Sequence, residues 1–181
     1  KVQVEPRSLL ELIKLFLVFN QIKLTENNTR KCMIEMRSKI PGFYKGLIYC
    51  SSVKEAYQIA DYLETIIKAN IRPGLPVLVK RGCSEYSVSF PDFKKTNRSG
   101  VELMKYDKNW KLIEKNHDSK KSIIPEVMMS SLSYLNLSDL LIIRNWIDYA
   151  KGIGDPSVEL LNQQTISSQK IYSIAKKRSE I

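Results

Sequence analysis

The hexapeptide Lys80-Arg81-Gly82-Cys83-Ser84-Glu85 sets two cations, a glycine, a thiol and a carboxylate in succession. Cations beside a thiol lower its pKa and favour the nucleophilic thiolate, so this stretch could serve a cysteine-dependent enzyme. Such an enzyme also needs a base. The chain has one histidine, His117, in a polar stretch far downstream. A Cys83 and His117 dyad is one reading; a turn with a part-buried cysteine and a local Glu85 ion pair is the other. The second is preferred, because no histidine adjoins the thiol and a cysteine beside a strand is usually packing material.

A metal-dependent nuclease would hold magnesium between acidic groups while a lysine orients the attacking water. Asp92, followed by Glu102 or by Asp118-Ser119-Lys120, fits that pattern in part. On a strand, however, Lys105 points away from the face that carries Glu102. Asp118 and Lys120 lie in Lys115-Asn116-His117-Asp118-Ser119-Lys120-Lys121, the composition of a solvated loop. The cysteines, Cys32, Cys50 and Cys83, form neither a C-x-x-C pair nor a disulfide framework, and a zinc site would need all of them plus His117. No metal or other cofactor is expected. Reduced cysteines in an intracellular, reducing compartment are.

The third constellation is basic and aromatic. Lys94, Lys95, Arg98, Lys105, Lys108 and Lys111 interleave with Tyr86, Phe90, Phe93, Tyr106 and Trp110. Aromatics exposed on a sheet stack unpaired bases while neighbouring cations bind phosphates. Turned inward, the same rings fill a core, the commoner fate for any one of them.

Charge segregation favours a binding role over chemistry. Residues 80–121 carry eleven Lys and Arg against six Asp and Glu, and residues 1–45 carry nine against four. The last twelve carry four against one, residues 46–79 are balanced, and residues 122–169 are net −3, within a total of +10. A field distributed in this way attracts an anionic surface without choosing its kind. Part of the basicity follows simply from a Lys-, Asn- and Ile-rich composition. The expected function is a non-catalytic binding module for a polyanion, nucleic acid first, through Lys80, Arg81, Lys94, Lys95, Arg98, Lys105, Lys108, Trp110 and Lys111. Arg30, Lys31, Arg37 and Lys39 form a fallback face. The alternatives are a protein-interaction or targeting module recognising an acidic protein surface, and then a metal-dependent nuclease or cysteine-dependent enzyme. The chain begins at Lys1 rather than Met, which reads as a piece of a longer precursor.

These residues need a scaffold, and 181 residues with 43% apolar and 27% charged composition suit one globular domain. Ser8 with Glu11 is a capping-box pattern opening a helix from Ser8 to about Asn20. Its apolar run, Leu9 to Phe19, is broken by Glu11 and Lys14 and is too short to span a bilayer. A second helix is predicted over Thr29 to Ile40, stopped by Pro41-Gly42. Gly46 to Cys50 reads as a buried strand. Ser52 with Glu55 then caps a helix to about Asn70, with Ala56, Ile59, Ala60, Leu63, Ile66 and Ile67 at helical spacing. Val77 to Lys80 is a further strand; with the preceding strand and helix it could form a parallel crossover that brings Cys50 and Arg81 to one sheet edge. Tyr86 to Phe90 alternates as a strand, and Val101 to Tyr106 with Trp110 to Glu114 reads as a hairpin. Ser138 is expected to cap a helix ending at Gly152, and Asp155-Pro156 to open a final helix with a basic end, Lys170 to Arg178. The expected architecture is α+β: helices over 8–40, a small mixed sheet of about four to five strands with a helix over 46–115, and a helical part over 125–178.

Overall fold

The computed structural model describes residues 1–26, 28–82, 135–162 and 168–180, and single positions at 88, 109, 112, 113 and 116. The described elements are β1 (Val2–Val4), α1 (Leu9–Gln21), β2 (Arg30–Ile34), β3 (Tyr44–Ile48), α2 (Val53–Asn70), β4 (Val77–Val79), α3 (Leu137–Gly152), α4 (Ser157–Asn162) and α5 (Ser168–Ser179). The strands form a four-stranded sheet in the order β2-β3-β1-β4. With helices between and after its strands, the chain has the α+β architecture its sequence predicts.

Every neighbouring pair in the sheet is antiparallel. Since β3 and β4 are both antiparallel to β1, they run in the same direction with β1 between them. The β3-α2-β4 segment is therefore a crossover as expected, but it joins strands that do not touch. The inserted strand is β1, with Val2 opposite both Ile48 and Val79. Its three residues are too short to show a period, and sequence reasoning missed it.

The helix predicted over Thr29 to Ile40 is not formed. Arg30–Ile34 pairs along β3, from Arg30 opposite Ile48 to Ile34 opposite Tyr44. Cys32 and Ile34, two residues apart, pack toward the core, so alternation and sheet pairing override the helical reading of this run. Pro41-Gly42 belongs to the β2-β3 connection, where Gly42 takes a φ of 82° and the Glu35 N–H donates to the Phe43 carbonyl at 2.7 Å.

Two of the three predicted capping serines are in place. Ser8 Oγ accepts the Glu11 N–H and Ser52 Oγ the Glu55 N–H. One face of the sheet is covered by α1 and α2, where Val2, Val4, Leu15, Phe19, Ile48, Ala56, Leu63 and Ile67 form the larger core cluster. Gly46 permits this approach: Leu15 and Phe19 lie where its side chain would begin. A second cluster joins Leu9, Leu12 and Tyr44 to Trp146, Ala150 and Val158, seating α3 and α4 against the start of α1.

The C-terminal boundaries differ from expectation. Asn136, not Ser138, caps α3, through a reciprocal pair of bonds with Asp139 that Ser138 cannot make from inside the first turn. Asp155 does open a helix, with its Oδ1 accepting the Ser157 N–H at 2.9 Å, but that helix is the short α4, and α5 is a separate element. Val88, Leu112 and Ile113 are helical where strands were expected. Leu112 and Ile113 are neighbours and both exposed, an arrangement at odds with strand alternation. The rest of the predicted strand and hairpin lies outside the described residues.

Candidate functional site

The shared direction of β3 and β4 brings their carboxyl ends together beside the start of α2. After β3, Tyr49-Cys50-Ser51-Ser52 lead into the helix; after β4, Lys80-Arg81-Gly82 leave the sheet, Gly82 with a φ of 68°. A cleft of about 420 Å³ lies between, lined by Cys50, Ser51, Ser52, Lys80, Arg81 and Gly82, with Lys1 at its edge. Cys50 and Arg81 thus share one sheet end, as the crossover reading required.

The charge around this cleft is positive. Among the described lining residues the ionisable side chains besides Cys50 and Tyr49 are Lys1, Lys80 and Arg81, with no carboxylate. The first N–H groups of α2, at Val53 and Lys54, have no intrahelical acceptor and form the positive end of the helix dipole. The two predicted cations differ in their placement. Strand alternation puts Lys80 on the face of Leu78, where its Nζ lies 3.9 Å from Glu5 Oε1 and its side chain is only 10% exposed. Arg81, half-buried, follows on the cleft side.

The described thiols are not set up for nucleophilic chemistry. Burial pushes the Cys50 thiol up against the lowering effect of the nearby N-terminal ammonium, Glu55 adds a smaller push, and burial pushes Cys32 up further. A thiol held protonated in this way is a poor nucleophile. Among the described residues no cluster of His, Cys, Asp or Glu could hold a metal ion. What the arrangement can do is receive an anionic group at Arg81 and the helix start.

On the far side of α2's first turn lies a second cleft of about 690 Å³, lined by Lys23, Asn28, Glu55 and Tyr62 among others. Glu55 is its organiser, accepting from Asn28 Nδ2 at 2.7 Å, the Ser51 N–H at 2.6 Å and Ser51 Oγ at 2.7 Å. These bonds, that from Asn28 foremost, hold the Glu55 carboxyl below its ordinary range. The amide of Asn28 is fixed by donating also to the Tyr49 carbonyl at 2.9 Å, which leaves its buried Oδ1 with no partner.

The fallback basic face does not survive as a set. Arg30 turns inward and donates to the Phe19 carbonyl in the last turn of α1. Arg37 makes two bonds of 2.7 Å to Glu35, and Glu35 Oε2 also accepts from Lys45 Nζ at 2.7 Å. Only Lys31 and Lys39 of the four remain exposed without such a role. Glu35 and Lys45 are themselves buried, a charged pair that the sequence conceals because each reads as one more surface charge.

Of the predicted binding residues, the structure places Lys80 and Arg81. Lys94, Lys95, Arg98, Lys105, Lys108, Trp110 and Lys111 lie outside the described residues, as do Cys83, Asp92, Glu102, His117, Asp118 and Lys120. No described helix is long and apolar enough to cross a membrane. No family model matches the chain, and neither a curated protein nor a solved structure resembles it closely enough to count as a match.

Proposed function

We propose that this chain is a non-catalytic binding module for a polyanion, with nucleic acid the leading partner. The observation that carries the reading is that a basic stretch, residues 80–121, leaves the sheet at the positive cleft formed by Arg81 and the start of α2. Phosphates are met there by a guanidinium and backbone N–H groups together, the combination that holds phosphate at helix starts elsewhere. The test is equilibrium binding of a fluorescent single-stranded oligonucleotide across a salt series. Binding that weakens steeply with salt supports the reading; no binding at low salt overturns it.

A second reading, a protein-interaction module, is favoured by one observation. Leu137, Leu140, Leu141 and Ile142, in the first two turns of α3, are all exposed. Clustered aliphatics in water mark a protein-binding surface more often than a nucleic-acid one. For that reading, Leu140→Asp would abolish partner binding while leaving oligonucleotide binding and stability intact.

A further inference from the structure

The helix α5 is amphipathic, and its apolar side is not used within the described fold. Every side chain from Gln169 to Glu180 is exposed, and none belongs to either core cluster. At 12 residues it is near the length at which an isolated helix is marginal in water, so burial against some surface is what would stabilise it.

The positions along the helix specify that surface. Ile171, Ile174 and Ala175 stand three and four residues apart and share one side. Lys170 and Lys177, seven apart, run along one flank of this stripe, and Tyr172 along the other. Arg178 closes the stripe at its C-terminal end, while Ser173, Lys176 and Glu180 lie on the opposite side. Cations therefore border the apolar strip on one flank and at its C-terminal end.

We infer that α5 docks on an anionic lipid surface, its Ile171 and Ile174 entering the apolar boundary while the flanking cations meet headgroup phosphates. A nucleic acid would engage the cations alone and leave the isoleucines in water. A bilayer interface takes both, and a lysine or arginine stem can lie along the apolar boundary with its charge outward. This goes beyond the polyanion reading, which rests on residues 80–121.

The test is flotation of the full chain with vesicles of phosphatidylcholine alone and of phosphatidylcholine mixed with phosphatidylserine. The expected result is binding to the anionic vesicles only, weakened about tenfold or more by Ile171→Ser with Ile174→Ser and likewise by Lys177→Gln with Arg178→Gln. Because these residues are exposed, thermal unfolding should be unchanged in both variants. Lys23→Gln with Lys68→Gln, exposed cations elsewhere on the described fold, should leave flotation unaltered. Absence of flotation overturns the proposal. So does flotation that persists without the isoleucines, or is lost with Lys23 and Lys68, since either would place binding on charge alone or elsewhere. Loss of vesicle binding with oligonucleotide binding intact would overturn only this inference, not the function proposed above.

Discussion

The Tyr44 hydroxyl donates to Asp155 Oδ2 at 2.6 Å, and that same oxygen accepts the Leu9 N–H at 2.6 Å. One carboxylate thus ties β3 to the start of α1 from the turn between α3 and α4. Ser157 Oγ accepts the Leu10 N–H at 3.3 Å, so two first-turn donors of α1 are capped by side chains almost a chain length away. Burial pushes the Asp155 carboxyl up, but the bonds from Tyr44, Leu9 and Ser157 outweigh it and hold it below its ordinary range.

Asp155→Ala leaves a helix N–H and a buried hydroxyl without their acceptor, and should cost about 2 to 4 kcal/mol in urea unfolding. Tyr44→Phe keeps the Leu9 bond and should cost about 1 kcal/mol. If Asp155→Ala is nearly neutral, α3 and α4 are not held to α1 by this carboxylate.

Stability should fall in acid through Glu35. The hydrogen bond from Arg37, with help from Lys45 and against the opposing effect of burial, holds its carboxyl at about 2, below the ordinary 4.5. A carboxyl whose pKa is depressed on folding adds stability that is complete above the unfolded value and lost as pH falls through the folded one. The window is therefore from about pH 4.5 down to about 2. Glu35→Gln should flatten the acid limb of a stability-versus-pH curve. It should also cost roughly 3 to 5 kcal/mol at neutral pH, because Lys45 is left buried without its counter-charge. Glu35→Leu with Lys45→Met should recover much of that loss; an acid limb unchanged in Glu35→Gln would assign the acid sensitivity to other carboxyls.

Packing over the sheet gives a third expectation. A methyl group at Gly46 would overlap Leu15 Cδ2 and come within 3.1 Å of Phe19 Cζ. Leu15 is fully buried, so Gly46→Ala should destabilise by about 1 to 3 kcal/mol. Leu63→Ala, also fully buried, should cost about 2 to 5 kcal/mol. Chemical denaturation measures both, and a Gly46→Ala variant as stable as the parent would show that α1 can shift away from β3.

Local signals carried the parts of this fold that were legible. Ser8 and Ser52 announced their helices because a capping side chain acts within three residues, and the stripe from Ala56 to Ile67 has one period throughout. What escaped was decided by partners distant in sequence. Arg30–Ile34 has residues that suit either period, and only β3 makes it a strand. Asp155 reads correctly as a helix start, but nothing near it shows that its other oxygen caps α1. The candidate site was half legible: Arg81 reached the predicted sheet end, whereas Lys80, next to it, was turned by strand alternation toward Glu5. Arg30, Arg37 and Lys45 show the same limit, since net charge cannot distinguish a cation facing solvent from one bonded inside.

That distinction sets the form of the binding prediction. Each phosphate contact releases counterions, so a cation that touches nucleic acid contributes both to affinity and to the slope of affinity against salt. Arg81→Gln should weaken oligonucleotide binding and lower the slope by about one contact. Lys94→Gln, Lys95→Gln and Arg98→Gln together should lower it by about three. Lys45→Met, a buried cation already bonded to Glu35, should leave the slope unchanged however much it alters stability. Lys31→Gln with Lys39→Gln separates the fallback face from the leading one, as both are exposed. A slope that responds to Lys31 and Lys39 but not to Arg81 would move the binding surface to the β2 end of the sheet. A slope indifferent to all of them would leave the exposed aliphatics of α3 as the surface to test next.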